Sequence, residues 1–178
     1  MTSIFNNRIL QHSLFWVSQL VFYAVIYGSY TENYGQTFYE EAVFLPVKIV
    51  FTYFVLYYLL PFLLAGRYVF FFTWFVVGSL IAGVAQRFIA FTFDYPIYYP
   101  EGLRDPFLWF PKISKMIASI YPYTFFAVAI KLLKYWYENK QAQQILLQDK
   151  LQAELKFLKT QIHPHFYSIP STIFTRSR

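Results

Sequence analysis

Leu151-Gln-Ala-Glu-Leu-Lys-Phe-Leu-Lys-Thr-Gln-Ile-His-Pro-His-Phe166 combines a helical repeat of apolar residues with two histidines. Leu151, Leu155, Leu158, Ile162 and His165 follow one another at steps of 4, 3, 4 and 3 residues. This spacing keeps one face of a helix toward a partner, as in a coiled coil. We therefore predict a dimerisation helix and a homodimer formed through residues 144–162, with the three leucines and Ile162 in the seam.

The two histidines are weak evidence when they are considered by spacing alone. Pro164 has no N–H and disfavours a helical conformation at His163, so a kink or helix break is predicted there. Residues two apart on a helix point about 200° away from each other, so His163 and His165 do not form a metal-binding pair. By spacing alone, a polar helix end is the more typical interpretation.

The order of residue types in the motif is more specific than the spacing of its histidines. Residues 161–166, Gln-Ile-His-Pro-His-Phe, closely resemble the phosphoacceptor region of the Lyt-type sensor histidine kinases, whose motif runs Gln-Ile-(Asn/His)-Pro-His-Phe-Leu-Phe-Asn. The resemblance is tight over residues 150–166. It implies that His165 is the phosphorylated catalytic residue and that His163 occupies the variable position. The neighbouring motif residues are Gln161, Ile162, His163, Pro164 and Phe166.

The same resemblance implies a two-component phosphorelay system in a bacterial cytoplasmic (inner) membrane. The implied partners are a second copy of the chain and a response regulator, which in this family commonly carries a LytTR DNA-binding domain. ATP and Mg²⁺ are the cofactors expected of the full-length family member.

The composition is that of a membrane protein. Hydrophobic residues make up 57% of the chain and charged residues 13%, whereas soluble domains carry about 25% charged residues. The chain has no cysteine, which excludes disulfides and thiolate metal sites. The net charge is +6, and the positively charged residues are scattered among apolar segments. We therefore predict contact with membrane lipid and no direct contact with nucleic acid.

Four apolar runs are each long enough to cross about 30 Å of hydrocarbon. They are predicted at residues 14–30 (extending back toward Ile9), 42–65, 68–91 and 112–136. Residues 31–41 are predicted to be a polar loop, residues 66–67 a short turn, and residues 93–111 a loop whose four prolines exclude a helix through it. The first run, residues 14–30, is long for the apolar part of a signal peptide, and no Ala-x-Ala cleavage site follows it. We therefore predict that it remains in the protein as a membrane span.

Small residues recur at helical spacing in the third run and predict close helix packing. They are Gly78, Ser79, Ala82, Gly83 and Ala85. Lys48 and Arg87 are predicted to extend from their spans toward the headgroups, with a role in sensing as the less favoured interpretation.

Four spans place both termini on one side of the membrane. That side would hold Arg8, Arg67, Lys131 and Lys134, against Arg104, Lys112 and Lys115 on the other. The bias favours cytoplasmic termini.

The predicted fold is an all-α membrane protein with four transmembrane helices followed by a long cytoplasmic coiled-coil or dimerisation helix. Residues 1–136 form the sensor region, 137–166 the dimerisation helix and the start of the phosphoacceptor region, and 167–178 an aberrant tail. Because residues 123–163 contain no proline, the fourth span is expected to continue into the dimerisation helix over roughly 60 Å. Such a helix would carry a movement of the bundle to His165.

An ATP-binding domain is not expected within these residues, since no glycine follows Gly102 and a glycine-rich phosphate loop is therefore missing. Alone, the chain is expected to be inactive as a kinase. The family's continuation also stops at Phe166. Codons can be chosen for residues 167–178 so that one added T yields Leu-Phe-Asn-Thr-Leu-Asn-Asn-Ile-Tyr-Ala-Leu-Thr. We therefore hypothesise a shift of reading frame, caused by a mutation or a sequencing error.

Two other functions remain open. One is a non-catalytic integral membrane protein with a coiled-coil interaction tail, such as a transporter fragment or an assembly partner. The predicted spans contain no Asp or Glu, which disfavours transport. The other is a membrane metal enzyme built on the His-Pro-His pair, which lacks further ligands because the one remaining histidine is His12.

Overall fold

The computed structural model describes residues 8–162, and every regular element in that range is helical. The chain divides into two compact units, Met1–Lys131 and Leu132–Arg178. The elements are, in order, α1 (Arg8–Thr31), α2 (Tyr34–Tyr53), a π-helical stretch (Phe54–Leu59), α3 (Leu60–Leu64), α4 (Tyr68–Ile89), a second π-helical stretch (Ala90–Asp94), α5 (Tyr95–Tyr98), a 3₁₀-helix (Pro100–Arg104) and α6 (Phe110–Ile162).

Four helical segments in the described range are long and apolar enough to cross a membrane. They are Ile9–Thr31, Tyr34–Leu64, Tyr68–Tyr98 and Phe110–Thr160. Their number and order match the predicted spans, and the first one extends back to Ile9 as expected. The fold is therefore all-helical in the described part of the chain, with four candidate membrane spans by length and composition.

The predicted loop at residues 31–41 is wrong, because α2 already begins at Tyr34. The Asn33 side chain accepts a hydrogen bond from the backbone N–H of Gln36 at 3.1 Å and so caps the new helix. Glu32 has a positive φ of 54°, which turns the chain between the two helices. Glu40 and Glu41 consequently lie on a helix that is a candidate membrane span.

Each π-helical stretch lies just before a proline. Phe54–Leu59 precedes Pro61, and Ala90–Asp94 precedes Pro96. A proline ring clashes with the carbonyl four residues earlier in an α-helix, and the wider π-helical turn moves that carbonyl away. The chain therefore continues as a helix through both prolines.

The short turn predicted at residues 66–67 is confirmed. Gly66 has a φ of +77°, a conformation that glycine adopts without steric cost. Its N–H donates to Leu63 O, and the N–H of Arg67 donates to Phe62 O. These two bonds form the Schellman pattern that closes a helix C-terminus.

The third candidate span ends at Tyr98, whereas residue 91 was predicted. Residues 93–111, predicted to be a loop, contain short helical elements. No single helix crosses them, but Pro96, Pro100 and Pro111 each lie in the first turn of a short or long helical element. Proline is tolerated there because the first helical N–H groups have no intrahelical acceptor.

The core of the first unit has an apolar and an aromatic part. The apolar cluster consists of Phe51, Val55, Leu59, Ala82 and Ile120. The aromatic cluster consists of Trp16, Tyr23 and Tyr123. The outward surfaces of the candidate spans are rich in large exposed apolar side chains, for example Val21, Val50, Val69, Ile81 and Phe125. Such surfaces are expected to face lipid.

The small residues of α4 allow close helix packing, as predicted. A Cβ added to Gly83 would lie 2.5 Å from Cγ1 of Ile117 on α6, and one added to Gly78 would lie 3.1 Å from the Phe54 ring. Ser79 and Ala82 are also buried. The stripe therefore forms helix contacts.

In the second unit, the described residues are the C-terminal part of α6. Leu151, Leu155 and Leu158 are each more than half exposed there. Ile162 is the last residue of the helix. The helical conformation predicted for this segment is confirmed up to that residue.

We predict that Gly83→Ala destabilises the bundle, because the added methyl group must displace Ile117. Overpacking of this kind costs about 1–3 kcal/mol. The matched control is Gly35→Ala in α2, where the added Cβ meets one atom at 3.8 Å. Unfolding in detergent, followed by circular dichroism, should show a loss for the first variant and none for the second. Equal stabilities of the two variants would contradict the close packing at Gly83.

Candidate functional site

The predicted phosphoacceptor site reaches only the edge of the described residues. His163, Pro164, His165 and Phe166 lie outside them, as do residues 167–178. The backbone of Gln161 and Ile162 forms the end of α6. The role of His165, the helix break at Pro164 and the origin of the tail therefore stay predictions.

A buried cluster of polar side chains does appear inside the first unit. Lys48 is 2% exposed, and its Nζ lies 2.5 Å from Glu41 Oε2 on the same helix. The Tyr123 hydroxyl of α6 donates a hydrogen bond to Glu41 Oε2 and accepts one from Lys48 Nζ at 3.2 Å. Lys48 also lies 4.3 Å from the centre of the Tyr123 ring. The three residues thus satisfy one another's charges and hydrogen bonds.

Aromatic rings enclose this cluster. Tyr23 of α1 stacks on Tyr123 with ring centres 4.4 Å apart. Trp16 stacks on the same tyrosine, and its Nε1 donates to the hydroxyl of Tyr53 at 3.1 Å. An apolar enclosure strengthens the attraction between Lys48 and Glu41 but makes either charge costly if its partner is removed.

The prediction that Lys48 and Arg87 extend toward the headgroups is wrong. Arg87 has no exposed surface. Its guanidinium donates to the Tyr95 hydroxyl, to Phe107 O at 3.3 Å and to Pro106 O at 3.4 Å. Both cations are buried in the bundle because hydrogen-bond acceptors lie there: Glu41 and Tyr123 for Lys48, and Tyr95 with two backbone carbonyls for Arg87. Arg87 fixes the turn at residues 106–107 against α4.

Further polar contacts recur along α6. Ser119 donates to Gln86 Oε1 at 3.2 Å, and Thr124 shares a hydrogen bond of 3.1 Å with Thr52. Lys131 Nζ donates to the carbonyl of Leu56 in the first π-helical stretch at 2.5 Å. Hydrogen bonds of this type join helices in an apolar medium. α6 is therefore held to α2 and α4 by a series of polar contacts.

A second cluster lies at the start of α2. Glu40 Oε1 accepts hydrogen bonds from Gln36 Nε2 at 2.7 Å and from the Tyr99 hydroxyl at 3.1 Å. Burial, followed by the negative charge of Glu40, raises the pKa of Tyr99 to about 12. The Tyr99 hydroxyl therefore keeps its proton and remains a donor to Glu40 at neutral pH.

Asp94 lies next to this cluster and is 4% exposed. The charged groups that act on it are Glu40 and Lys115. Its Oδ1 has no hydrogen-bond partner among the described residues. The Tyr39 hydroxyl donates to the carbonyl of the preceding residue, Phe93, at 3.2 Å.

Within residues 8–162, no group of three or more His, Cys, Asp or Glu side chains could hold a metal ion. The clusters at Glu41 and Glu40 each combine carboxylates with neutral or cationic donors, which suits proton and hydrogen-bond chemistry better than metal binding.

Comparison of the chain with models of protein families, with curated proteins and with solved structures finds no match.

The sequence prediction missed these buried groups because they were assigned to loops or to the lipid boundary. Glu41 and Lys48 are seven residues apart, a separation that places both on one face of a helix. That signal could have been used, had residues 31–41 been recognised as helical. The statement that the spans contain no Asp or Glu is also wrong, since Glu40, Glu41 and Asp94 lie in candidate spans.

We predict that Lys48→Met strongly destabilises the protein, because Glu41 is left as a largely buried charge without its cation. Breaking a buried pair in this way costs about 3–5 kcal/mol. Adding Glu41→Gln to Lys48→Met should recover much of the loss, since no uncompensated charge remains. Unfolding in detergent measures both effects.

Lys134→Met is the matched control. Lys134 pairs with Glu138 at 3.9 Å on an exposed part of α6, where such a pair contributes at most about 1 kcal/mol. If Lys48→Met were as mild as Lys134→Met, the buried pair would not carry the stability assigned to it.

Proposed function

We propose that the chain is the membrane sensor portion of a two-component histidine kinase, with His165 as the phosphoacceptor. The observation that carries this proposal is α6. One helix contains the fourth candidate span and extends to Ile162, three residues before His165. The motif that resembles the Lyt-type phosphoacceptor region therefore begins on the same element that packs against the bundle.

Phosphoryl transfer requires a neutral imidazole nitrogen of His165. That nitrogen forms a bond to the γ-phosphorus of ATP while the bond from this phosphorus to the β,γ-bridging oxygen breaks and ADP leaves. A site for ATP and Mg²⁺ must stabilise the charge that develops. Residues 103–178 contain no glycine with which to build a glycine-rich phosphate loop. A catalytic domain outside these residues therefore has to supply the ATP site.

The exposed leucines support a homodimer. Leu151, Leu155 and Leu158 lie on one face of α6 and are more than half exposed in the single chain. Burying such a face against a second copy removes apolar surface from water. In the proposed kinase, residues 144–162 form this contact, and a response regulator, of the LytTR type by resemblance, receives the phosphoryl group from His165.

The polar contacts of α6 provide a route for the signal. Tyr123, Thr124 and Lys131 each bond to α2 or to the stretch that follows it. A stimulus that rearranges these bonds changes the position of α6 in the bundle. The helix passes this change toward His165 in the cytoplasm, where both termini are placed in this proposal.

A non-catalytic integral membrane protein with a coiled-coil interaction tail is the second candidate. The observation that favours it is the ionisable pair of Glu41 and Lys48 inside the bundle, because such groups in candidate spans can mark an ion pathway. The two residues are bonded to each other and to Tyr123, which suits a structural role equally well.

We predict that the purified chain in lipid nanodiscs accepts phosphate on His165 from an intact Lyt-type kinase that forms mixed dimers with it. With radiolabelled ATP, the label should be stable to alkali and labile to acid, as a phosphorus–nitrogen bond is. His165→Asn should remove it. The matched control is His163→Asn, which substitutes the alternative residue of the family motif and should retain the label.

Equal labelling of the His165→Asn variant and of the unaltered chain would contradict the assignment of the phosphoacceptor. Loss of label in both histidine variants, with dimerisation intact by chemical cross-linking, would contradict the carry-over of the family motif to these positions.

A further inference from the structure

Asp94 is a buried carboxylate without the contacts that normally stabilise its charge. It ends the second π-helical stretch and is 4% exposed. No described residue donates a hydrogen bond to its Oδ1. An ionised carboxylate in such surroundings loses its hydration and gains little in return. Binding of a positive charge would therefore stabilise this side chain.

The charged groups around Asp94 come from several elements. Glu40 of α2 repels its negative charge, and Lys115 of α6 attracts it. Tyr99, at the start of the 3₁₀-helix, is bonded to Glu40. Two nearby cations are engaged elsewhere, Arg87 with Tyr95 and the turn at 106–107, and Lys112 with Asp105 at 3.2 Å. Lys115 is thus the cation that acts on Asp94, and Glu40 opposes its effect.

We propose that Asp94 and Glu40 form a proton-binding site that takes up one proton from water on Asp94. Two carboxylates that repel each other do not readily ionise together when one of them is buried, as Asp94 is. The proton belongs on Asp94 because the charged form of Glu40 already accepts two hydrogen bonds, from Gln36 and Tyr99. Protonation turns the Asp94 carboxylate into a neutral acid, and deprotonation returns the proton to water.

A cation larger than a proton fits less well. Divalent cations take six or more oxygen ligands, whereas this site offers two carboxylates, and no metal-binding group of three or more such side chains exists in residues 8–162. A proton requires no further ligands.

The position of the site gives the proton a structural effect. Asp94 is the last residue of the second π-helical stretch, directly before α5, and Lys115 lies on α6. Loss of the proton restores the attraction between Asp94 and Lys115 of α6. The proton site does not depend on the proposed kinase function; if both hold, pH is one signal that the bundle senses.

The test is a pH titration of the full chain in nanodiscs by infrared difference spectroscopy, which detects the C=O stretch of a protonated carboxylic acid. One such band should disappear as the pH rises. Asp94→Asn should remove it. Glu40→Gln should move its midpoint to lower pH because the repelling charge is gone, and Lys115→Met should move it to higher pH.

Asp105→Asn is the matched control, since Asp105 is partly exposed and paired with Lys112; it should leave the band unchanged. If Asp94→Asn fails to fold, the opposite shifts of the Glu40 and Lys115 variants still decide the question. The proposal is overturned if the band persists in Asp94→Asn, or if neither of the other two variants shifts it. A midpoint that moves when Na⁺ is replaced by choline would also overturn it, because the site would then bind a metal cation.

Discussion

The ion pair of Lys48 and Glu41, closed by the hydroxyl of Tyr123, is the contact on which the bundle most depends. The pair lies on α2, and Tyr123, on which the rings of Trp16 and Tyr23 stack, joins it to α6. In an apolar medium each polar group must be satisfied within the protein, since water is not there to replace a missing partner. The two hydrogen bonds of Tyr123 therefore fix which faces of α2 and α6 meet. A shift of either helix would take the Tyr123 hydroxyl away from Lys48 and Glu41 and leave these hydrogen bonds unmade.

Several features of the sequence were sufficient to predict the framework. The four apolar runs, the glycine turn at Gly66 and the small residues of α4 depend on local composition and spacing, and the structure contains all of them. Errors arose where distant partners decide the outcome. Residues 31–41 resembled an acidic loop because the cation that neutralises Glu41 lies seven residues away and its hydroxyl partner lies on α6.

The same reason explains the error at Arg87. A cation near the end of an apolar run normally extends to the headgroups, but here the carbonyls of Pro106 and Phe107 approach α4 and accept its hydrogen bonds. That approach is a tertiary feature. The π-helical stretches had a local signal, Pro61 and Pro96, which was not interpreted in this way. The candidate phosphoacceptor, by contrast, is inferred from the amino-acid sequence of a short motif. The residues of that motif after Ile162 lie outside the described part of the chain.

α6 contains both the fourth candidate span and the segment that leads to the phosphoacceptor motif. Its N-terminal part carries the polar contacts of the bundle, and its C-terminal part carries the exposed leucines that precede His165. An arrangement of this kind is expected of a sensor whose membrane segment controls a dimeric cytoplasmic helix. A purely structural membrane protein needs the polar contacts but has no need for the motif at residues 161–166.

The most direct measurement is to determine the bases of the gene from codon 160 onward. We predict that adding one base before codon 167 restores Leu-Phe-Asn and opens a long frame that encodes an ATP-binding domain. Codons for residues 167–178 that cannot be read in this way, with no such domain downstream, would contradict the claim that the motif belongs to a sensor kinase interrupted at this point.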